Sequence, residues 1–138
     1  MSEIKHHLDT ILALGREIDR DIAEINRLRE WSEKITTGQG ESVSGSREQS
    51  AKYTRAVETI ADLEQEVSDE LSEYREARRT VLNMIGSLTG EERTVIELRY
   101  IVGLDWDEIA SHAHYSRRHV LRLHASAIKN LEKIETCH

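Results

Sequence analysis

Residues 106–125, WDEIASHAHYSRRHVLRLHA, carry the pattern that decides the fold of the C-terminal third of the chain. The stretch fits the helix-turn-helix pattern with Ala110 at the close-packed position, where a larger side chain would push the two helices apart. The turn position that glycine usually occupies holds His114, which requires either a positive φ or a different turn. The apolar side chains expected between the two helices are Ile109, Ala113, Tyr115, Val120 and Leu123.

Capping signals divide residues 89–138 into three helices. Gly103 suits the position that follows a helix C-terminus. We therefore predict a first helix up to Gly103, a second from Trp106 to about Ala113, and a third that ends near Ile134. The N-terminal signals are two capping-box pairs and one capping serine, namely Thr89 with Glu92, Asp105 with Glu108, and Ser116.

Residues 1–88 contain two long runs with heptad-like spacing, one over 3–36 and one that ends at Ile85. Glu64 and Arg78 are the imperfect positions of the second run, and both can pair at a helix surface. The apolar positions of the two runs include Ile4, Leu8, Ile11, Ile18, Ile22 and Ile25, then Tyr53, Val57, Ile60, Val67, Leu71, Tyr74, Val81 and Ile85.

Between the two runs lies GQGESVSGS, residues 38–46, which we expect to be a flexible connection because it is rich in glycine and serine. Two long helices most simply fold back as a coiled-coil-like antiparallel hairpin. The hairpin is either a spacer or dimerisation element, or its acidic face binds another protein such as a polymerase subunit. Five further apolar residues widen the first stripe beyond one hairpin seam, so we expect self-association, most simply as a homodimer. They are Leu12, Leu14, Leu28, Trp31 and Ile35.

The composition predicts an all-α protein in a reducing, cytoplasmic setting. The chain has no Pro and no Phe, and a third of its residues are charged, which favours solvated helices. Its one cysteine, Cys137, cannot form an intramolecular disulfide. We find no signal peptide and no apolar stretch that approaches the roughly 20 residues of a membrane span.

The charge distribution indicates double-stranded DNA as a partner. The formal net charge of −7 argues against a protein that coats nucleic acid without sequence preference, because that mode needs a broad basic surface. Residues 1–88 hold 18 acidic and 12 basic side chains, whereas residues 112–133 are net +4 with neutral histidines. An acidic body with one basic helix repels the phosphate backbone except where that helix docks.

The N-terminal turn of the third helix carries the predicted DNA-binding residues. Arginine can pair bidentately with guanine or clamp a phosphate, so we assign readout to Arg117, Arg118 and Arg122. Lys129 is assigned to a phosphate contact. The complete predicted set is Ser116, Arg117, Arg118, His119, Arg122 and Lys129.

The segment EERTVIELRYIVGLDWDEIASHAHYSRRHVLRLHASAIKNL, residues 91–131, resembles sigma-70 region 4, and most of all phage late-transcription regulators of the ArpU and RinA type. The residues that carry the resemblance are LRY at 98–100, Gly103-Leu104, W-x-E-I-A at 106–110, Tyr115-Ser116 and Arg122-x-His124-x-x-Ala127. The resemblance implies a three-helix DNA-binding domain over 89–138, after a helical domain over 1–88. It also implies an activator of late genes at promoters in a Gram-positive host, with the host RNA polymerase as a further partner.

The sequence argues against a metal site and against catalysis, and it leaves two alternatives to a transcription regulator. Histidines 112, 114, 119 and 124 could suggest zinc, but His119 and His124 point to different faces of one helix, so we predict no metal site. The sequence has no Gly-rich phosphate loop and no nucleophile elbow, so we expect neither an enzyme nor a cofactor. The alternatives to a transcription regulator are a DNA-packaging subunit of the small terminase type and an adaptor that binds polymerase or a sigma factor.

Overall fold

The computed structural model describes residues 3–36 and 46–136, which form helices joined by turns, without a strand among them. The predicted all-α class is confirmed. The predicted flexible connection, apart from Ser46, and Cys137 lie outside the described residues. The helices are α1 (Glu3–Thr36), α2 (Ser46–Ile85), α3 (Gly90–Ile96), α4 (Trp106–Ala113) and α5 (Arg117–Thr136). None of the described helices combines the length and apolar character that crossing a membrane requires.

The helix that begins at Gly90 changes its winding before it ends. Residues Glu97–Val102 continue α3 as a π-helical segment. Gly103 then takes φ 88° and its amide donates to the Leu98 carbonyl at 3.1 Å, and the Leu104 amide donates to the same carbonyl at 3.0 Å. The predicted role of Gly103 after the helix C-terminus is confirmed, whereas the π-helical winding was not predicted. Short π-helical turns of this kind occur frequently at functional sites.

The capping prediction for α4 is confirmed, and the same prediction for α3 is wrong. The Glu108 amide donates to Oδ1 of Asp105 at 2.8 Å, and the Asp105 amide donates to Oε1 of Glu108 at 3.0 Å. Thr89 takes the extended backbone of an N-cap residue, but its side chain accepts no capping hydrogen bond. Gly90, directly after Thr89, takes φ 59°, a left-handed backbone that departs from the helical first turn whose amides an N-cap side chain reaches. The carboxylate of Glu92, the expected partner, binds two side chains of α5.

The described residues divide into two compact units, and the first combines residues 3–16 with 73–136. Its main core joins side chains from both ends of the predicted hairpin to side chains of the later helices: Ile4, Leu8, Ile11, Val81, Ile85, Leu88, Ile96, Tyr100, Ala127 and Leu131. The predicted domain boundary at residue 88 therefore passes through a shared core. That residues 89–138 form a separate domain stays a prediction.

The second unit, residues 17–72, has far fewer buried apolar side chains. Those below a tenth exposed are Ile18, Ile25, Ala56 and Val67. Arg29 pairs with Glu64 at 3.1 Å, while Glu17 and Asp21 lie beside Glu70, so α1 and α2 run in opposite directions within this unit. The ion pair confirms the prediction that Glu64 can pair at the surface. Several positions of the apolar stripes remain exposed, namely Ile22, Trp31, Tyr53, Val57 and Leu71.

Candidate nucleic-acid interface

A second apolar cluster fixes α4 against α5 and α3. Ile109 and Val120 are fully buried and Ala110 is 8% exposed, so the predicted close approach at Ala110 is present. Val95 of α3 completes the buried part of the cluster. Tyr115 and Leu123 pack against it partly buried, as do Leu98, Leu104 and Trp106. Ala113, also predicted for this contact, is only half-buried.

The turn between α4 and α5 uses a left-handed residue. His114 takes φ 60° and ψ 40°, which decides between the two turns that the sequence left open. The Tyr115 amide donates to the Ala110 carbonyl at 2.9 Å and closes the end of α4. Ser116 then caps α5, because its Oγ accepts from the His119 amide at 3.1 Å. Ser116 therefore has a structural role at the start of the predicted recognition helix.

Three of the predicted DNA-binding cations are exposed and carry no ion pair with another described residue. They are Arg118 and Arg122, one turn apart on α5, and Lys129 two turns further on. Guanidinium and ammonium groups in this state can donate to phosphate oxygens without first breaking a contact in the protein.

The other two predicted basic residues have acidic neighbours. Nη1 of Arg117 lies 3.5 Å from Oδ1 of Asp107. Nε2 of His119 lies 4.0 Å from Oε2 of Glu91, and its ring packs edge-on against Tyr115 with the centroids 4.8 Å apart. Sequence reasoning missed both carboxylates, because Glu91 and Asp107 belong to other helices than the residues they face.

Two glutamates of α3 hold α5 in place. Glu92 accepts hydrogen bonds from the Ser126 hydroxyl and from Nδ2 of Asn130, the latter at 2.9 Å. Oε1 of Glu91 accepts from the Tyr115 hydroxyl at 2.7 Å, and this contact raises the pKa of Tyr115. The orientation of α5 is thus fixed by the first turn of α3 as well as by apolar packing.

A cluster of aromatic side chains packs around His124 in the middle of α5. Nε2 of His124 and the Tyr100 hydroxyl share a hydrogen bond of 2.7 Å, and Trp106 meets the His124 ring edge-on at 4.8 Å. The Arg99 guanidinium lies over Trp106 at 4.4 Å. Burial, then the charges of Lys5 and Arg99, lower the pKa of His124 to about 4, and burial raises that of Tyr100 to about 12. His124 is therefore neutral and packed at pH 7.

The histidines that suggested zinc have separate surroundings. His119 faces Tyr115 and Glu91, whereas His124 lies between Tyr100 and Trp106. His112 and His114 are exposed. Among the described residues, the group whose ligand atoms come within 4.8 Å of one another is acidic, namely Glu17, Asp21 and Glu70. It lies in the second unit and contains no histidine.

Comparisons with known proteins place the chain in a family. Residues 14–133 match the family model described as a protein of unknown function (DUF722). The match covers most of α1, the whole of α2, α3 and α4, and α5 as far as Lys133. No curated protein and no solved structure matches the chain.

Proposed function

The chain belongs to the DUF722 family, and we propose that it is a sequence-specific DNA-binding regulator of transcription. The observation that supports this function best is the start of α5. A short, capped helix and a tight turn present the basic N-terminal turn of a longer helix to solvent. Major-groove readers of the helix-turn-helix type use this arrangement, in which the first residues of the second helix contact base edges.

The charge of the surrounding surface supports the same proposal. Three basic side chains are exposed on α5, namely Arg118, Arg122 and Lys129. The rest of the protein is acidic, since the whole chain has a net charge of −7. Attraction to the phosphate backbone is therefore concentrated on one face. Such a protein binds DNA through this face, and its other surfaces repel the phosphate backbone.

Each residue of the proposed interface has its own role in binding. Arg117, Arg118 and Arg122 read base edges or clamp the flanking phosphates, and Lys129 contacts a phosphate. Ser116 positions the helix through its cap. His119 lies at the edge of the interface beside Tyr115.

The resemblance to sigma-70 region 4 narrows the proposal to promoters. We propose that the protein activates phage late genes in the bacterial cytoplasm, as a homodimer that also contacts the host RNA polymerase. The acidic unit of residues 17–72, with its exposed apolar side chains, is the surface proposed for those protein contacts.

Binding of the full-length protein to random and selected duplexes tests the proposal. Duplexes that bind are enriched from a randomised pool, and the affinity of the selected site is compared with that of random DNA. Arg118→Ala should weaken the selected site by about 1 to 3 kcal/mol if Arg118 reads a base. Lys129→Ala should weaken all sequences alike and lower the salt slope by about one.

Arg27→Ala is the matched control, because it removes an exposed arginine from the second unit. It should bind like the parent. Circular dichroism checks that the variants keep their helicity. If the parent enriches no sequence and binds no duplex at low salt, the proposed function is wrong, and an adaptor role through protein contacts becomes the better explanation.

A further inference from the structure

Two carboxylates from different helices lie at the proposed DNA-reading turn. Asp107 belongs to the first turn of α4 and faces Arg117, whereas Glu91 belongs to the first turn of α3 and faces His119 and Tyr115. Their side chains are 74% and 58% exposed, so both are accessible to an approaching DNA backbone. We call Glu91 and Asp107 the acidic pair.

We propose that the acidic pair makes the interface selective, by weakening its attraction to phosphates at any sequence while leaving base readout available. This inference rests on the proposed DNA-binding function. It assigns a role to two residues that do not themselves donate to DNA. It also separates Arg117, which has a carboxylate partner, from Arg118 and Arg122, which have none among the described residues.

The physical basis is competition for one guanidinium. A phosphate that approaches Arg117 must share it with Asp107, and the carboxylate repels the phosphate in addition. Non-specific binding depends almost wholly on contacts to the DNA backbone, so its affinity is reduced more than that of sequence-specific binding. Asp107 contacts only Nη1 of Arg117, and the remaining N–H groups of the guanidinium can still donate to guanine O6 and N7.

Glu91 acts at the neighbouring side chain. Its Oε1 accepts a hydrogen bond from the Tyr115 hydroxyl at 2.7 Å, and its Oε2 lies 4.0 Å from Nε2 of His119. A negative charge at this place opposes a phosphate near the beginning of α5, where the helix dipole would otherwise attract one. The two acids therefore reduce the same sequence-independent attraction from two sides.

Substitution of each acid by its amide tests the proposal in the full-length protein. Asp107→Asn and Glu91→Gln remove the charge and keep the size, and Gln can still accept from Tyr115. We expect each to raise the affinity for random duplex DNA about two- to fivefold, as for an exposed ion pair. The salt slope should rise toward one additional phosphate contact, and the ratio of selected-site to random affinity should fall.

Glu48→Gln is the control for the change of net charge, because Glu48 is exposed in the second unit and pairs with Lys52. It should leave the affinity, the salt slope and the ratio unchanged. If both amide variants bind random DNA with the affinity and salt slope of the parent, the acidic pair has no selective role, although the proposed function stands. If the parent binds no DNA, both proposals fail.

Discussion

At the scale of single residues, the fold changes the proton affinity of two side chains in opposite directions. Burial lowers the pKa of His124 to about 4, from an ordinary value of 6.5. Partial burial and then the neighbouring carboxyls of Asp21 and Glu17 raise the pKa of Glu70 from 4.5 to about 7. Their effects on stability oppose each other between pH 4.5 and 6.5, so variants separate them better than the parent's pH profile does.

His124 should make the first unit less stable in acid. Below pH 6.5 the unfolded chain binds the proton first, so stability falls as the pH drops from 6.5 toward 4. His124→Gln removes this dependence and keeps a polar partner for Tyr100. Denaturant midpoints at pH 7.5 and pH 5 should therefore differ less for this variant than for the parent, with His112→Gln as the exposed control. An unchanged difference would contradict the prediction.

Tyr100→Phe tests the same pair at constant pH. The change leaves Nε2 of His124 without its partner at a part-buried position, which costs about 0.5 to 1.5 kcal/mol. Tyr74 offers the control, since its hydroxyl donates to the Ile101 carbonyl at 3.2 Å from a part-buried position. Tyr74→Phe should cost less, because its hydrogen bond is longer and Tyr74 is less buried than Tyr100. Equilibrium unfolding at pH 7.5 measures both, and equal costs would argue against a special role for the pair of Tyr100 and His124.

Glu70 should have the opposite effect, in the second unit. The folded state binds the proton more tightly than the unfolded state, so the folded state loses stability as the pH rises from 4.5 through 7. Glu70→Gln removes one of three adjacent carboxylates. It should raise the melting temperature at pH 8 more than at pH 5, whereas Glu48→Gln should not. A variant that is destabilised at pH 8 would show that the charged carboxylate is needed.

At the scale of elements, the turn between α4 and α5 depends on one strained residue. His114 adopts φ 60°, which a side chain with a Cβ disfavours and glycine accepts readily. We predict that His114→Gly is neutral or stabilising by up to about 1 kcal/mol, and that the β-branched His114→Val is destabilising. Thermal unfolding of both variants measures this. If Val were tolerated as well as Gly, the turn would have to take another conformation.

The helix ends also show which local sequence signals suffice to predict a helix boundary. The bounds of α4 follow from Asp105, Glu108 and the turn at His114, all within a few residues of the helix ends. The cap at Thr89 fails although its pattern is the same: Gly90 takes φ 59° directly after it, and the Glu92 carboxylate binds Ser126 and Asn130. A capping box can be predicted from residue types only where the first turn keeps a helical backbone and no tertiary contact competes for its glutamate.

At the scale of the whole molecule, the exposed apolar side chains of residues 17–72 lead to the predicted self-association. Val57 is 45% exposed, and Trp31 and Tyr53 are more than a third exposed, although they occupy apolar stripe positions. We expect light scattering of the full-length protein to give the mass of a dimer at micromolar concentration. Val57→Lys should shift it toward a monomer with helicity unchanged.

The mass of the protein in solution also distinguishes between the alternative functions. A large ring would favour a DNA-packaging subunit, whereas a monomer that Val57→Lys leaves unaltered would remove the homodimer and favour a different protein on this surface. Thr59→Lys is the control, because Thr59 is an exposed residue on the same helix. It should leave the mass unchanged.

The sequence alone determined the helical class, the extent of the first long helix, the end of the second, the cap of α4 and the close contact at Ala110. These features depend on residue types a few positions apart, so they can be recognised before the chain is folded. For the interface, it identified the basic residues of α5. Only the tertiary structure decided that Glu91 and Asp107 face that turn, that Glu92 holds α5, and that His124 packs between Tyr100 and Trp106. The contacts made by Glu91 and Glu92 join residues 24 to 38 positions apart, whose meeting depends on how the helices pack.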